Sequence, residues 1–263
     1  MAAFKQGGIT MKTRYKNYLL SLAVFVVLLI VWQILAVSPH FTFLFGSPST
    51  IFNSIVANTV NGALPFGMWV TGIEALLGFV IGIMLGTFIG FLLWYSKRVA
   101  QVFRPYIIIL GAIPVFAFAP LIIIWFGIGT VMKIALAAFG VFLISLTQAY
   151  EGAKSIDEEE YKLLKVYGAS RFQILQKVIF PSSLDWVLAS MKLNIGFAIL
   201  GAFIGEFISS EVGLGHFMIT AGSLYDIPSV FAGGFFLVLL SLLFNWVVSF
   251  IEKHRLKIVE WFA

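Results

Sequence analysis

The side chains best able to do chemistry in this chain are few and lie in unusual places. Glu74, Lys192, Asn194 and Glu206 each interrupt a long apolar run, and Glu74 has Thr71 and Trp69 close by. An ionisable group within a membrane span is costly to bury alone, so each is a functional candidate by default. Glu74 is either such a group or a carboxylate near enough to the interface to stay hydrated. Lys192 either snorkels along its stem to the surface or pairs with Asp185, two readings we favour over contact with a solute. Glu206 follows the small residues Gly196, Ala198, Gly201, Ala202 and Gly205, which suit close packing of one helix on another, in one case its own symmetry mate. Glu206 itself either shapes an outer gate or marks the water interface. Catalysis is not supported. The three histidines, His40, His216 and His254, are scattered, and there is no cysteine to serve as nucleophile, disulfide partner or metal ligand.

These groups must be held by membrane-spanning helices. Hydrophobic residues make up 60% of the 263 residues and charged residues 11%, against about 45–50% and about 25% in soluble domains. A helix rising ~1.5 Å per residue crosses ~30 Å of hydrocarbon in about 20 residues. Six stretches qualify, near 18–37, 68–95, 106–126, 131–150, 184–208 and 229–251. The first is longer than the ~7–15 apolar residues of a secretory signal, so it reads as a span. Residues 1–17 form a polar lead-in, with Met11 an alternative start to Met1, and residues 252–263 form a polar tail.

Of the 17 Lys and Arg, 15 fall in the N-terminal segment, the second–third and fourth–fifth connections and the C-terminal segment. The exceptions are Lys133 and Lys192. The positive-inside rule then places both termini in the cytoplasm, and the net charge of +5 reflects this topology and not nucleic-acid binding. On the other side, Ser47-Pro48-Ser49-Thr50 opens an interfacial helix with Ile51, Ile55 and Val56 on one face. The segment 209–226, with Gly213-Leu214-Gly215, is expected to fold partway back against the protein, since irregular backbone at membrane depth must be shielded from lipid.

The connection 151–183 is of a different kind. Its five basic residues, Lys154, Lys162, Lys165, Arg171 and Lys177, are balanced by Glu151, Asp157, Glu158, Glu159 and Glu160. Ser155 and Glu158 fit a capping box, and the acidic first turn suits the positive end of a helix dipole. The helix continues through Tyr161, Leu164 and Lys165 until Gly168 supplies a left-handed stop. Ser170 and Gln173 cap a second helix with Phe172, Leu175 and Ile179 on one face, which Pro181 closes. Such a helix pair either lies on the membrane surface or is a knob on which another protein docks.

Gly168, then nine residues, then Val178-Ile179-Phe180-Pro181 resembles the glycine half of the EAA loop that marks the membrane subunits of binding-protein-dependent ABC importers. Gly168-Ala169-Ser170-Arg171, the turn Trp125-Phe126-Gly127-Ile128-Gly129, and Glu206 followed by Gly213-Leu214-Gly215 are similar to the aliphatic sulfonate, taurine and nitrate branch. The likeness runs from Ser47 onward. Where the family has Glu-Ala-Ala, this chain has Lys162-Leu163-Leu164, so Glu158, Glu159 or Glu160 would take over the acidic contact one turn earlier.

The resemblance implies an all-α, six-span permease of the type I importer fold. It would act as a homodimer, with Glu158, Glu159, Tyr161, Lys162, Leu163, Leu164, Gly168, Ala169, Ser170, Arg171 and Pro181 engaging a cytoplasmic ATPase dimer. ATP would bind to that partner; this chain has no Walker-type glycine-rich motif and needs no cofactor or metal of its own. An external binding protein would deliver a small organic or oxyanion solute, such as a sulfonate, nitrate or vitamin precursor. Glu74, Lys192, Asn194 and Glu206 would lie on the path or its gate. A secondary ion-coupled carrier is the rival class. It calls for inverted repeats and mid-membrane acid pairs, and neither is evident in the sequence.

Overall fold

A segment surrounded by hydrocarbon must satisfy its own backbone polar groups, and a helix does so residue by residue. In the computed structural model, which describes residues 11–254, every regular element among the described residues is helical. The order is α1 (Met11–Leu35), α2 (Pro39–Phe45), α3 (Pro48–Val60), α4 (Ala63–Tyr95), α5 (Lys97–Ala112), a 3₁₀ turn (Val115–Phe118), α6 (Ala119–Phe126) and α7 (Thr130–Lys154). Next come α8 (Glu158–Val166), α9 (Arg171–Ile174), a π turn (Leu175–Ile179), α10 (Phe180–Ile208), α11 (Leu214–Ser223) and α12 (Ile227–Lys253). Residues 1–10, with Lys5, and the tail beyond 254, with Arg255 and Lys257, lie outside the described residues.

Among the described residues five helices are long and apolar enough to cross a membrane: 16–35, 63–95, 130–154, 171–208 and 227–253. The expected third span is not one helix. Residues 98–111 and 116–126 meet at 83°, and the helix leading in starts at Lys97, not at residue 106. Pro114 and the short 3₁₀ turn after it make the break, since proline disfavours helical backbone at the residue before it. The fifth span also departs from expectation. Pro181 does not close the second helix of the 151–183 connection; it sits in the first turn of α10, and the path 171–208 is continuous. The π turn just before Pro181 absorbs the lost i→i−4 hydrogen bond, with the Phe180 N–H reaching the Leu175 carbonyl.

At the centre, α7 is clasped between α4 and α10. Gly78, Gly82, Gly86 and Gly90 recur every four residues along α4, forming a smooth strip. A Cβ at Gly82 would lie 2.6 Å from the Ala138 carbonyl oxygen, and one at Gly86 2.5 Å from that of Phe142. On the other flank, Gly201 faces the Ala137 backbone and Gly205 faces Lys133. In hydrocarbon, where burial gives little gain, backbone approach of this kind supplies the packing attraction. Gly201 and Gly205 of α10 thus pack within the chain on α7, while Gly196 has no neighbour within 4 Å among the described residues. Phe79, Val141, Ile195, Ile199, Leu240 and Val248 fill the adjoining core. By contrast, α1 buries no residue between 16 and 35 and touches the bundle through Trp32 edge-on to Phe231 and Gln33 accepting the Ser49 N–H at 3.2 Å.

Short helices cover the end of the bundle opposite α8. The interfacial helix expected at Ser47 is α3, with Ser47 and Thr50 forming a reciprocal cap. Its Ser54 hydroxyl meets that of Ser229 on α12 at 2.9 Å. The segment 209–226 folds back as expected, but as a helix, α11, with Leu214 fully buried.

Candidate functional site

The first candidate is the helix–glycine–helix at one end of the bundle. Its cap is not Ser155, whose hydroxyl donates to the Gly152 carbonyl at 2.7 Å and so finishes α7. Asp157 caps α8 instead, accepting the Glu159 N–H at 3.0 Å, while Glu158 faces Lys162 at 3.9 Å. Two serine- and aspartate-based caps competed here, and Asp157 is the one adjoining the first helical residue. The far end of α8 closes with the Gly168 N–H on the Lys165 carbonyl (3.0 Å) and the Ala169 N–H on the Leu164 carbonyl (3.1 Å). This is the six-to-one and five-to-two pattern that requires a left-handed residue, and Gly168 has φ +82. Ser170 and Gln173 then form the expected capping box.

α8 is held to the bundle from beneath. Tyr161 packs edge-on to Trp94 at the end of α4, and Arg171 donates to the Tyr95 carbonyl at 3.2 Å. Ala153, Ile174 and Ile179 are buried below, with Leu164 and Ala169 packed against them. The opposite side is unpartnered: Leu163, Phe172, Tyr167 and Val166 are 54%, 62%, 80% and 84% exposed around the Gly168 turn. Glu159 and Glu160 of the first turn of α8 are exposed as well. Pro181 is set back from it, in the wall of α10.

The second candidate lies at the other end of the bundle, where four elements converge. Lys133, near the start of α7, sits 2.5 Å from Glu74 of α4, and the two residues are 4% and 2% exposed. The carboxyls of Glu74 and Glu206 adjoin each other. Glu206 accepts the Thr71 hydroxyl at 2.7 Å and the Gly215 N–H at 2.7 Å, while Thr71 Oγ1 accepts the Leu214 N–H at 2.9 Å. Two of the unpaired N–H groups at the start of α11 therefore end on side chains of α4 and α10. Lys133 also donates to Ser210 at 3.1 Å. Gly213, at φ +113, passes so close to the Glu206 carboxyl that no Cβ fits there.

The sequence points to Glu74, Thr71 and Glu206 separately but to no acid pair, and it offers Lys133 only as an exception to the basic asymmetry. Its signal was present: Lys133 is one of only two basic residues outside the one-sided distribution.

The other two intramembrane candidates stand apart. Asn194 donates to Ser145 at 2.9 Å, tying α10 to α7. Lys192 meets a partner that the sequence reading did not name: its ammonium lies 2.6 Å from Glu252 of α12. Glu252 lies far along the chain, and only the packing of α12 brings it near.

Comparison with known proteins gives this geometry a context. Residues 78–257 match the family model described as the binding-protein-dependent transport system inner membrane component. The chain is 30% identical to the formylaminopyrimidine transport permease protein of Halalkalibacterium halodurans, over 83% of this chain and 87% of that one. It is 29% identical to the putative aliphatic sulfonates transport permease protein of Bacillus subtilis, over 82% and 77%. Its fold matches a chain of the MetNI methionine ABC transporter in inward-facing form with TM-score 0.62 at 19% identity, covering 78% of this chain and 98% of that one. The chain therefore belongs to the family of binding-protein-dependent transport system inner-membrane components, as a multi-pass permease subunit of the ABC importer class.

Proposed function

We propose that two copies of this permease form the translocation path of an ATP-driven importer. A cytoplasmic ATPase dimer works it through residues 155–181, and an external binding protein delivers the solute. The observation that carries this reading is the apolar tip around Gly168: four large side chains exposed on a rigid, doubly capped element whose base is anchored to α4, α7 and α10. Apolar surface collected on a stiff projection suits insertion into a groove, and the tilt of such a projection is passed directly to the spans it is bonded to. Tyr161, Leu164, Ala169 and Pro181 serve the base; Glu158, Glu159, Lys162, Leu163, Gly168, Ser170 and Arg171 serve the contact or its shape. The 151–183 connection and both termini lie in the cytoplasm, following the distribution of Lys and Arg.

At the outer end, Glu206 serves the gate by fixing where α11 sits, with Glu74 and Lys133 behind it. Asn194 and Lys192 hold α10 in register with α7 and α12. The compensation of both acids by Lys133, Thr71 and an α11 N–H argues against the ion-coupled carrier, which needs carboxylates free to exchange an ion. The solute is a small organic or oxyanion compound, such as a sulfonate, nitrate or vitamin precursor, in keeping with the names of the two relatives.

The test is reconstitution. Liposomes holding the permease alone should show no accumulation under an imposed proton or sodium gradient. Adding the cognate ATPase, the loaded binding protein and ATP should start uptake. Gradient-driven accumulation by the permease alone would identify a secondary carrier.

A further inference from the structure

A cleft of about 570 Å³ opens at the α8 end of the bundle, between the ends of α4, α5 and α7 and the inner flank of α8. Arg104, Lys154, Lys162 and Arg171 line it, with Glu158 the single acid among its lining residues. Lys162 is engaged by Glu158 at 3.9 Å, and Lys154 by Glu151 at 3.3 Å. The two guanidiniums are less committed. Arg171 makes one hydrogen bond, to the Tyr95 carbonyl, and Arg104 has no hydrogen-bond or ion-pair partner among the described residues. The cleft therefore carries an excess of positive charge presented by planar, multidentate donors, the groups best suited to a phosphate.

Its depth says which phosphate. Trp94 and Tyr150 line the same cleft near the ends of the α4 and α7 spans, and such aromatic side chains gather at the level of lipid headgroups. From this level α5 leads back along the membrane with Val102, Phe103 and Tyr106 exposed on either side of Arg104 in sequence. That exposed apolar flank is a surface on which acyl chains can lie while a headgroup reaches inward. We propose that this cleft binds the headgroup of an anionic phospholipid, with Arg104 and Arg171 on its phosphate and the acyl chains along α5. The lipid would fill the space between the spans and the base of α8, stiffening the base of the projection. Its binding does not depend on the docking reading, because the cleft lies wholly within one chain.

The experiment uses the purified full-length permease in detergent, without an ATPase, titrated with phosphatidylglycerol or phosphatidylcholine and read by native mass spectrometry. The permease should retain phosphatidylglycerol in preference to phosphatidylcholine. Each juxtamembrane cation contributes about a 5-fold factor, so R104Q/R171Q should weaken retention about 25-fold. R104K/R171K should recover part of it, and R98Q/K253Q, which removes equal charge outside the cleft lining, should retain the lipid as before. Equal losses in the two charge-removing variants would mean diffuse surface attraction and overturn the proposal. So would unchanged retention in R104Q/R171Q, or displacement of the lipid by millimolar inorganic phosphate, which would mark a site for a soluble anion. One measurement needs no arginine variant. Phosphatidylglycerol with brominated chains should quench tryptophan fluorescence saturably, and W94F should remove a distinct part of that quenching; loss-free quenching in W94F counts against the cleft.

Discussion

Lys133→Met should be among the most damaging substitutions in this chain, and Glu74→Met should relieve it. The Lys133 ammonium lies 2.5 Å from a Glu74 carboxylate that is 2% exposed and has no other cation beside it among the described residues. Removing the cation leaves Glu74 buried and uncompensated, with the Glu206 carboxyl beside it. Breaking one side of a buried pair costs about 3–5 kcal/mol, whereas replacing both partners with apolar side chains of similar volume is close to neutral. At about 2–4 °C per kcal/mol for a protein of this size, the single variant should unfold about 6–20 °C lower. The double variant Lys133→Met/Glu74→Met should return most of that difference. The assay is thermal and SDS-induced unfolding of purified protein in mixed micelles, followed by near-ultraviolet circular dichroism. A single variant within about 1 kcal/mol of the parent, or a double variant as unstable as the single, would refute the claim that Lys133 exists to compensate Glu74.

Gly168→Val should cost about 1–2 kcal/mol of local strain, since its φ is +82. With no atom within 4 Å of the added Cβ, Gly168→Ala should act alike, and both should reduce ATPase co-purification and uptake while leaving membrane insertion intact. Gly82→Val should destabilise the α4–α7 contact by about 3 kcal/mol, because its Cβ meets backbone that cannot yield, whereas Gly196→Ala, facing open space, should be neutral or stabilising in the same unfolding assay. In this cysteine-free chain, a single cysteine at Ser49 should react with an impermeant thiol reagent on intact cells and one at Ser170 should not; the reverse labelling would invert the topology.

What the sequence determined by itself is what depends on neighbours along the chain. Apolar length sets the spans, and hydrogen bonds between residues three or four apart set the Ser47 and Ser170 caps. The need for positive φ makes Gly168 a stop wherever the helix leads. Even there, local rules failed when two caps competed, as Ser155 and Asp157 did, or when a proline could be absorbed by a π turn instead of ending a helix. Tertiary structure alone decided which charges meet. Lys133 with Glu74, Lys192 with Glu252, and Glu206 with the N–H of Gly215 bring together helices whose relative rotation is set by shape. The four-residue glycine strip of α4 and the small residues of α10 let α7 lie against both. In hydrocarbon a lone charge is costly wherever it stands, so the sequence announces that partners exist; only the close packing of α4, α7, α10 and α12 says which ones.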